Sequence, residues 1–103
     1  MFRRDPFRDV IRRQLDLFEN DEAELIADVR EAERAYDRAP REDAEAAYER
    51  LWDMVETGTE MLAEIRDAYM RTLDEETAEQ YEAAFNRAVK KRLPRFALQI
   101  SDY

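Results

Sequence analysis

An all-α fold is predicted by three observations: a near absence of turn-forming residues, apolar residues spaced three and four apart over long stretches, and a mirror in that spacing. The 103 residues contain one Gly and three Pro, too few turn formers for the repeated reversals of a sheet, whereas the abundant Ala, Glu, Arg and Leu favour helix. Apolar positions in 11–36 and 44–69 form pairs whose numbers sum to 80: Ile11 with Tyr69, Leu15 with Ile65, Phe18 with Leu62, Leu25 with Val55, Val29 with Leu51, Ala32 with Tyr48, Tyr36 with Ala44. Pro40 stands on the mirror plane. Helices folded back at Pro40 would stack these pairs layer upon layer. The expected architecture is therefore a long antiparallel helical hairpin, a shorter third helix that turns one end into a three-helix bundle, and an extended C-terminal tail.

The first helix is expected over about 6–38, with Asp5 as its N-cap and Pro6 at the first helical position, where a missing N–H costs nothing. Its seam runs through Phe7, Ile11, Leu15, Phe18, Leu25, Val29, Ala32 and Tyr36. One layer breaks the pattern, because position 22 is Glu and its mirror partner is Gly58. That layer reads as a local stutter with Glu22 swung outward, with an open layer or a shared hinge as alternatives. Asp21 with Glu24 and Thr57 with Glu60 have capping-box spacing, so either helix has a place to restart. Continuous helices are preferred because the seam holds its phase across both points.

The second helix is expected over about 41–73. Asp74 would cap a third helix over about 75–92, with a stripe of Ala78, Tyr81, Phe85, Ala88 and Val89 and a stop at Pro94. At about 1.5 Å per residue it climbs roughly 27 Å, as far as the Gly58 level. Phe7, Val10, Leu17, Met61 and Ala68 would receive it. In the tail, 94–103, Phe96, Leu98 and Ile100 alternate with smaller or polar residues, which reads as extended chain. All of this fits a single helical domain over 1–103, large enough for a modest core and marginal by itself.

Above the third helix a bare hairpin cannot hide Ile26, Trp52 and Met54 as well as its seam. A second copy of the chain is the favoured cover; the tail and an unidentified protein partner are the alternatives. Residues 19–57 hold 14 acids and 5 Arg, so this arm carries −9, the formal charge of the whole chain. An acidic arm opposes arm-to-arm pairing and suits a basic partner, although a solvated face is the simpler account. Two basic groups lie elsewhere. Arg3, Arg4, Arg8, Arg12 and Arg13 crowd a helix start, against the macrodipole, and are expected to pair with Asp74, Glu75 and Glu76. Arg87, Lys90, Lys91, Arg92 and Arg95 fit the favourable end of the third helix and have the chemistry to meet phosphate. Nucleic acid is not the expected partner of a chain with net charge −9 and no recognised motif.

The composition argues against catalysis. There is no Cys or His, which removes thiolates, zinc–thiolate sites and the commonest general base. Ser101 is the only Ser, so a Ser-His-Asp arrangement is ruled out. Glu49, Asp53, Glu56, Glu60 and Glu64 form an acidic stripe that would favour hard cations, yet such a stripe is ordinarily the wet side of a helix. No catalytic residue, metal ligand or cofactor is therefore expected. No apolar run reaches the roughly 20 residues of a membrane span, and no signal-like stretch follows Met1 to Asp5, so a cytoplasmic protein is expected. Trp52-Asp53-Met54 lacks the Gly of the Trp-x-Gly turn of small secreted hairpin proteins. The functional expectation is a non-enzymatic interaction or scaffold protein, self-associating through the arm, with Leu25, Val29, Leu51 and Val55 in the seam and Ile26, Trp52 and Met54 as anchors. The alternative is an acidic regulator or inhibitor, of nucleic-acid-mimic type, that binds a basic surface.

Overall fold

The first helix starts two residues later than expected: Asp5 closes a turn, its carboxylate accepting the Phe7 N–H at 2.9 Å and its carbonyl the Arg8 N–H at 3.2 Å, and Phe7, not Asp5, is the N-cap, with Pro6 in the turn ahead of it. The computed structural model describes residues 5–97 and 100–103. From this start the chain forms α1 (Arg8–Asp21), α2 (Ala23–Arg38), α3 (Ala44–Met70) and α4 (Glu75–Arg92), with short 3₁₀ turns at Arg41–Asp43, Pro94–Phe96 and Ile100–Asp102. The described residues contain no strand, in agreement with the all-α expectation. Reversal occurs at Ala39 and Pro40, whose ψ angles of 133° and 158° are extended, and α2 then packs along α3. Asp74 caps α4, accepting the Thr77 N–H at 3.4 Å.

The expected single helix over 6–38 is interrupted. Glu22 adopts φ −110° and ψ 32°, which ends α1 and starts α2 with no residue inserted between them. No side chain caps the restart, so the Asp21 and Glu24 spacing is not used as a cap. Its counterpart α3 runs straight through Gly58, and Thr57 Oγ1 bonds the Asp53 carbonyl within the helix at 2.9 Å instead of capping a new one.

The apolar phase explains the core. Phe7 at the N-cap of α1, Ile11, Leu15 and Phe18 within it, Val29 and Ala32 from α2, Leu62 and Ala63 from α3, and Tyr81, Ala84, Phe85 and Val89 from α4 are all buried. Phe7 meets Tyr81 edge-on at 5.5 Å, and Tyr69 lies 4.7 Å from the same ring. Of the residues expected to receive α4, Leu17 is 61% exposed and Ala68 faces solvent. Both lie off the face that α1 and α3 turn toward α4. The molecule measures 54 × 25 × 24 Å. Its radius of gyration of 15.8 Å exceeds the roughly 13 Å of a compact chain this long, because the α2–α3 arm projects beyond the bundle.

The tail departs most from expectation. It is not extended: two 3₁₀ turns fold it onto α3 and α4, with Leu98 outside the described residues. Leu93, Phe96 and Ile100 are all buried. Phe96 lies on Gly58, where a Cβ would come within 2.8 Å of its Cδ1 atom, and it meets Phe18 edge-on at 5.9 Å. The glycine is thus required by close approach, since its backbone is ordinary helix. Phe96 occupies the space that the missing side chain of Gly58 leaves open.

Polar bonds fasten this seat. Thr59 Oγ1 lies 2.8 Å from the Val55 carbonyl and 3.2 Å from the Phe96 carbonyl. Arg66, only 1% exposed, donates to the carbonyls of Ile100 at 2.8 Å and Tyr103 at 2.6 Å, to Asn86 Oδ1 at 3.1 Å and to Asp67 Oδ1 at 2.9 Å. A guanidinium withdrawn from water is tolerated only when its donors are used in this way. Among the described residues no buried side-chain nitrogen or oxygen lacks a partner.

Candidate interaction surface

With the tail in place, the face of the arm and a groove between α1 and α4 stand out among the described residues. Of the seven residues singled out on the arm, Val29 is wholly buried. Leu25, Ile26, Leu51, Met54 and Val55 are half-buried and pack against the core. Ile26 and Val29 also border a small crevice closed by Leu93, Pro94 and Phe96, so the tail supplies part of the cover that a second copy was expected to give. Trp52 is half-buried like them but lies outside the core cluster.

Trp52 belongs to an aromatic ladder. Its ring lies parallel to Tyr48 with centroids 6.4 Å apart and planes 9° apart, and Tyr48 meets Tyr36 across the hairpin at 5.6 Å. Tyr36 and Tyr48 are 38% and 49% exposed. The mirror placed both tyrosines in the seam opposite alanines, but near the tip the seam is only two helices wide and large rings spill out of it. Glu45, Glu49 and Asp53 flank the ladder on α3 and are exposed. Further along, desolvation, followed by the carboxylates of Glu56 and Glu60, raises the Tyr103 phenol above its ordinary pKa. The stripe from Glu49 to Glu64 does not gather: no cluster of three or more acids able to hold a metal ion occurs among the described residues.

The basic residues are arranged differently from expectation. No ion pair joins Arg8, Arg12 or Arg13 to the acids at 74–76 among the described residues, while Arg3 and Arg4 lie outside them. Instead α1 and α4 lie side by side and bring members of both basic groups to one open groove of about 750 Å3. Ile11, Leu15, Ala84 and Ala88 contribute its apolar lining, and Arg8, Arg12, Arg87, Lys91 and Arg92 its charge, with Asp5 as the one acid. Arg92 is engaged by Asp16 and Glu19 across the α1–α4 contact; the hydrogen bond to Asp16 is the main cause that raises its pKa. Arg12 reaches Asp9 at 3.8 Å. Arg95 pairs with Glu33 and ties the tail to α2. Sequence reasoning missed this groove because its walls come from segments some 75 residues apart.

No helix of the described residues is long and apolar enough to cross a membrane. Comparison with protein-family models, with curated proteins and with solved structures finds no match to this chain.

Proposed function

We propose that this chain is a non-enzymatic helical interaction module that self-associates through its hairpin arm. The observation that carries the reading is the Tyr36–Tyr48–Trp52 ladder, with both tyrosines exposed and Trp52 half-buried outside the core cluster, while Ile26 and Val29 border a crevice closed by the chain's own tail. Large aromatic rings held rigidly at a surface are the side chains that most often anchor protein interfaces. The bundle end acts as a stable mount, with Phe96 and Arg66 locking the tail and α2 and α3 projecting beyond it.

Mass in solution tests this. Sedimentation velocity at tens of micromolar should give twice the 12.4 kDa chain mass. Trp52→Ala should weaken association at least about tenfold, in the range of an interface hot spot. A chain that stays monomeric at that concentration refutes self-association. The formal −9 on residues 19–57 favours a second reading, an acidic regulator that binds a basic surface of another protein. That reading requires a partner whose binding weakens strongly between low and moderate salt.

A further inference from the structure

We propose that the cationic groove between α1 and α4 receives the arm of a second copy, so that two chains lie antiparallel and each arm occupies the other's groove. The inference rests on self-association through the arm and names the surface that the arm meets.

Three observations carry it. First, the groove has an excess of like charge. Arg92 and Arg12 have carboxylate neighbours within the chain, but no ion pair engages Arg8, Arg87 or Lys91 among the described residues. Arg8 stands moreover at the start of α1, the end of a helix that disfavours a cation. An anionic occupant relieves both costs. Second, the arm presents the complementary chemistry on one face. Glu45, Glu49 and Asp53 are exposed beside Tyr48 and Trp52, and no ion pair engages these three acids among the described residues. Guanidinium groups pair with carboxylates and also stack on Trp and Tyr faces, while the apolar lining of the groove accepts the ring edges.

Third, the charge layout selects the orientation. Arm and groove lie toward opposite ends of a molecule 54 Å long. Side-by-side pairing with arms together would bring two segments of −9 into contact. An antiparallel two-fold arrangement instead brings each acidic arm to a basic groove, makes two equivalent contacts and closes without further growth. Like-charge avoidance of this kind fixes orientation more firmly than apolar contact alone.

The test is a charge-swap pair read by sedimentation equilibrium at 50 mM and 300 mM NaCl. Arg87→Glu with Lys91→Glu reverses the groove, and Glu49→Arg with Asp53→Arg reverses the arm. All four residues are exposed, and melting curves by circular dichroism establish that each variant is folded. Wild-type association should weaken about tenfold between the two salts. Each double variant alone should associate about 100-fold more weakly than wild type, because like charges then face each other at both contacts. Mixed together, they should form a heterodimer with near-wild-type affinity, since both contacts regain opposite charges. If the groove variant dimerises like wild type, or the mixture stays monomeric, the proposal is overturned. If in that case Trp52→Ala still dissociates the wild-type dimer, the arm meets another surface and self-association stands. A wild-type chain that is monomeric at both salts overturns both.

Discussion

Gly58→Ala decides whether the tail is seated as described, because two opposing effects of known size meet at this one position. In an exposed helix interior, Ala is more stable than Gly by about 1 kcal/mol, so an uncovered Gly58 would make the substitution stabilising. Here the new methyl would lie 2.8 Å from Phe96 Cδ1, against the roughly 3.5–4.0 Å of a normal carbon contact. The ring has little room to retreat. It is 2% exposed, abuts Phe18, and its residue's carbonyl is held near Thr59 Oγ1 at 3.2 Å. Overpacking of this kind costs about 1–3 kcal/mol, so the net change is expected to lie between zero and about 2 kcal/mol of destabilisation. Urea denaturation followed by circular dichroism at 222 nm measures it. Phe96→Ala, which removes the ring, costs about 3–5 kcal/mol, and in that background Gly58→Ala should become stabilising by about 1 kcal/mol. A stabilisation of that size in the otherwise wild-type chain would refute the seat of Phe96 on α3.

Arg66→Met keeps the length of the side chain and removes its donors, so it should cost about 1.5–3 kcal/mol and accelerate amide exchange at residues 100–103; Arg66→Lys should not restore protection, because an ammonium cannot reproduce the planar fork. Unchanged exchange would separate the tail from Arg66. Burial pushes the Tyr81 phenol up to about 12, above the roughly 10 of an unfolded tyrosine. The unfolded chain therefore ionises first, and the stability tied to this group is full below pH 10 and lost as pH rises toward 12. Tyr81→Phe should flatten that alkaline loss in denaturation curves and, by removing the 2.8 Å bond to Gln14, cost about 1 kcal/mol at pH 7. An unaltered alkaline limb would assign the titration elsewhere. Arg95→Ala breaks a pair whose side chains are 46% and 32% exposed and should cost only about 0.2–1 kcal/mol; a loss above about 2 kcal/mol by the same denaturation assay would show that the contact with Glu33 holds the tail.

The helices were legible because their signals are local. Asp74 caps α4 through its own neighbour Thr77, and the three–four spacing of Ile11, Leu15 and Phe18 or of Tyr81, Phe85 and Val89 needs no knowledge of what covers it. The break at Glu22 was hidden for a specific reason. The chain changes direction there through one residue's φ and ψ with nothing inserted, so the seam keeps its phase although the helix does not continue. Unbroken phase excludes an added loop without establishing an unbroken helix. The tail misled through an ambiguity of spacing. Phe96 and Ile100 are four apart, which fits a strand with a period of two as well as a helical face. Taken with Val89 and Leu93, they prolong the stripe of α4 past Pro94 in steps of four, three and four, and all four are buried. Proline removes a backbone donor and ends the α-helix, but the chain beyond it can still follow the same face in 3₁₀ turns.

Arg66 and the groove were illegible for the opposite reason, since each depends on which helix faces meet. Nothing around Arg66 separates it from the other arginines of the helices; its burial follows from the small residues Gly58, Thr59 and Ala63, which let the tail approach α3 closely and lay its carbonyls within reach. Likewise Arg8 and Arg12 on one segment and Arg87 and Lys91 on another each admit a local explanation, one as base-end ion pairs and the other as dipole partners. Once α1 and α4 lie side by side, those explanations no longer suffice, because the two sets of cations share one surface with a single acid among its lining residues. Bringing cations together against their mutual repulsion costs stability in a lone chain, and the largest excess of opposite charge in the sequence is the arm. Residues 19–57 account for the whole net −9, so the remainder of the chain sums to zero. The cationic groove is therefore a local excess set within a neutral bundle, and the arm of a second copy is a surface that can neutralise it while covering the aromatic ladder at the same contact.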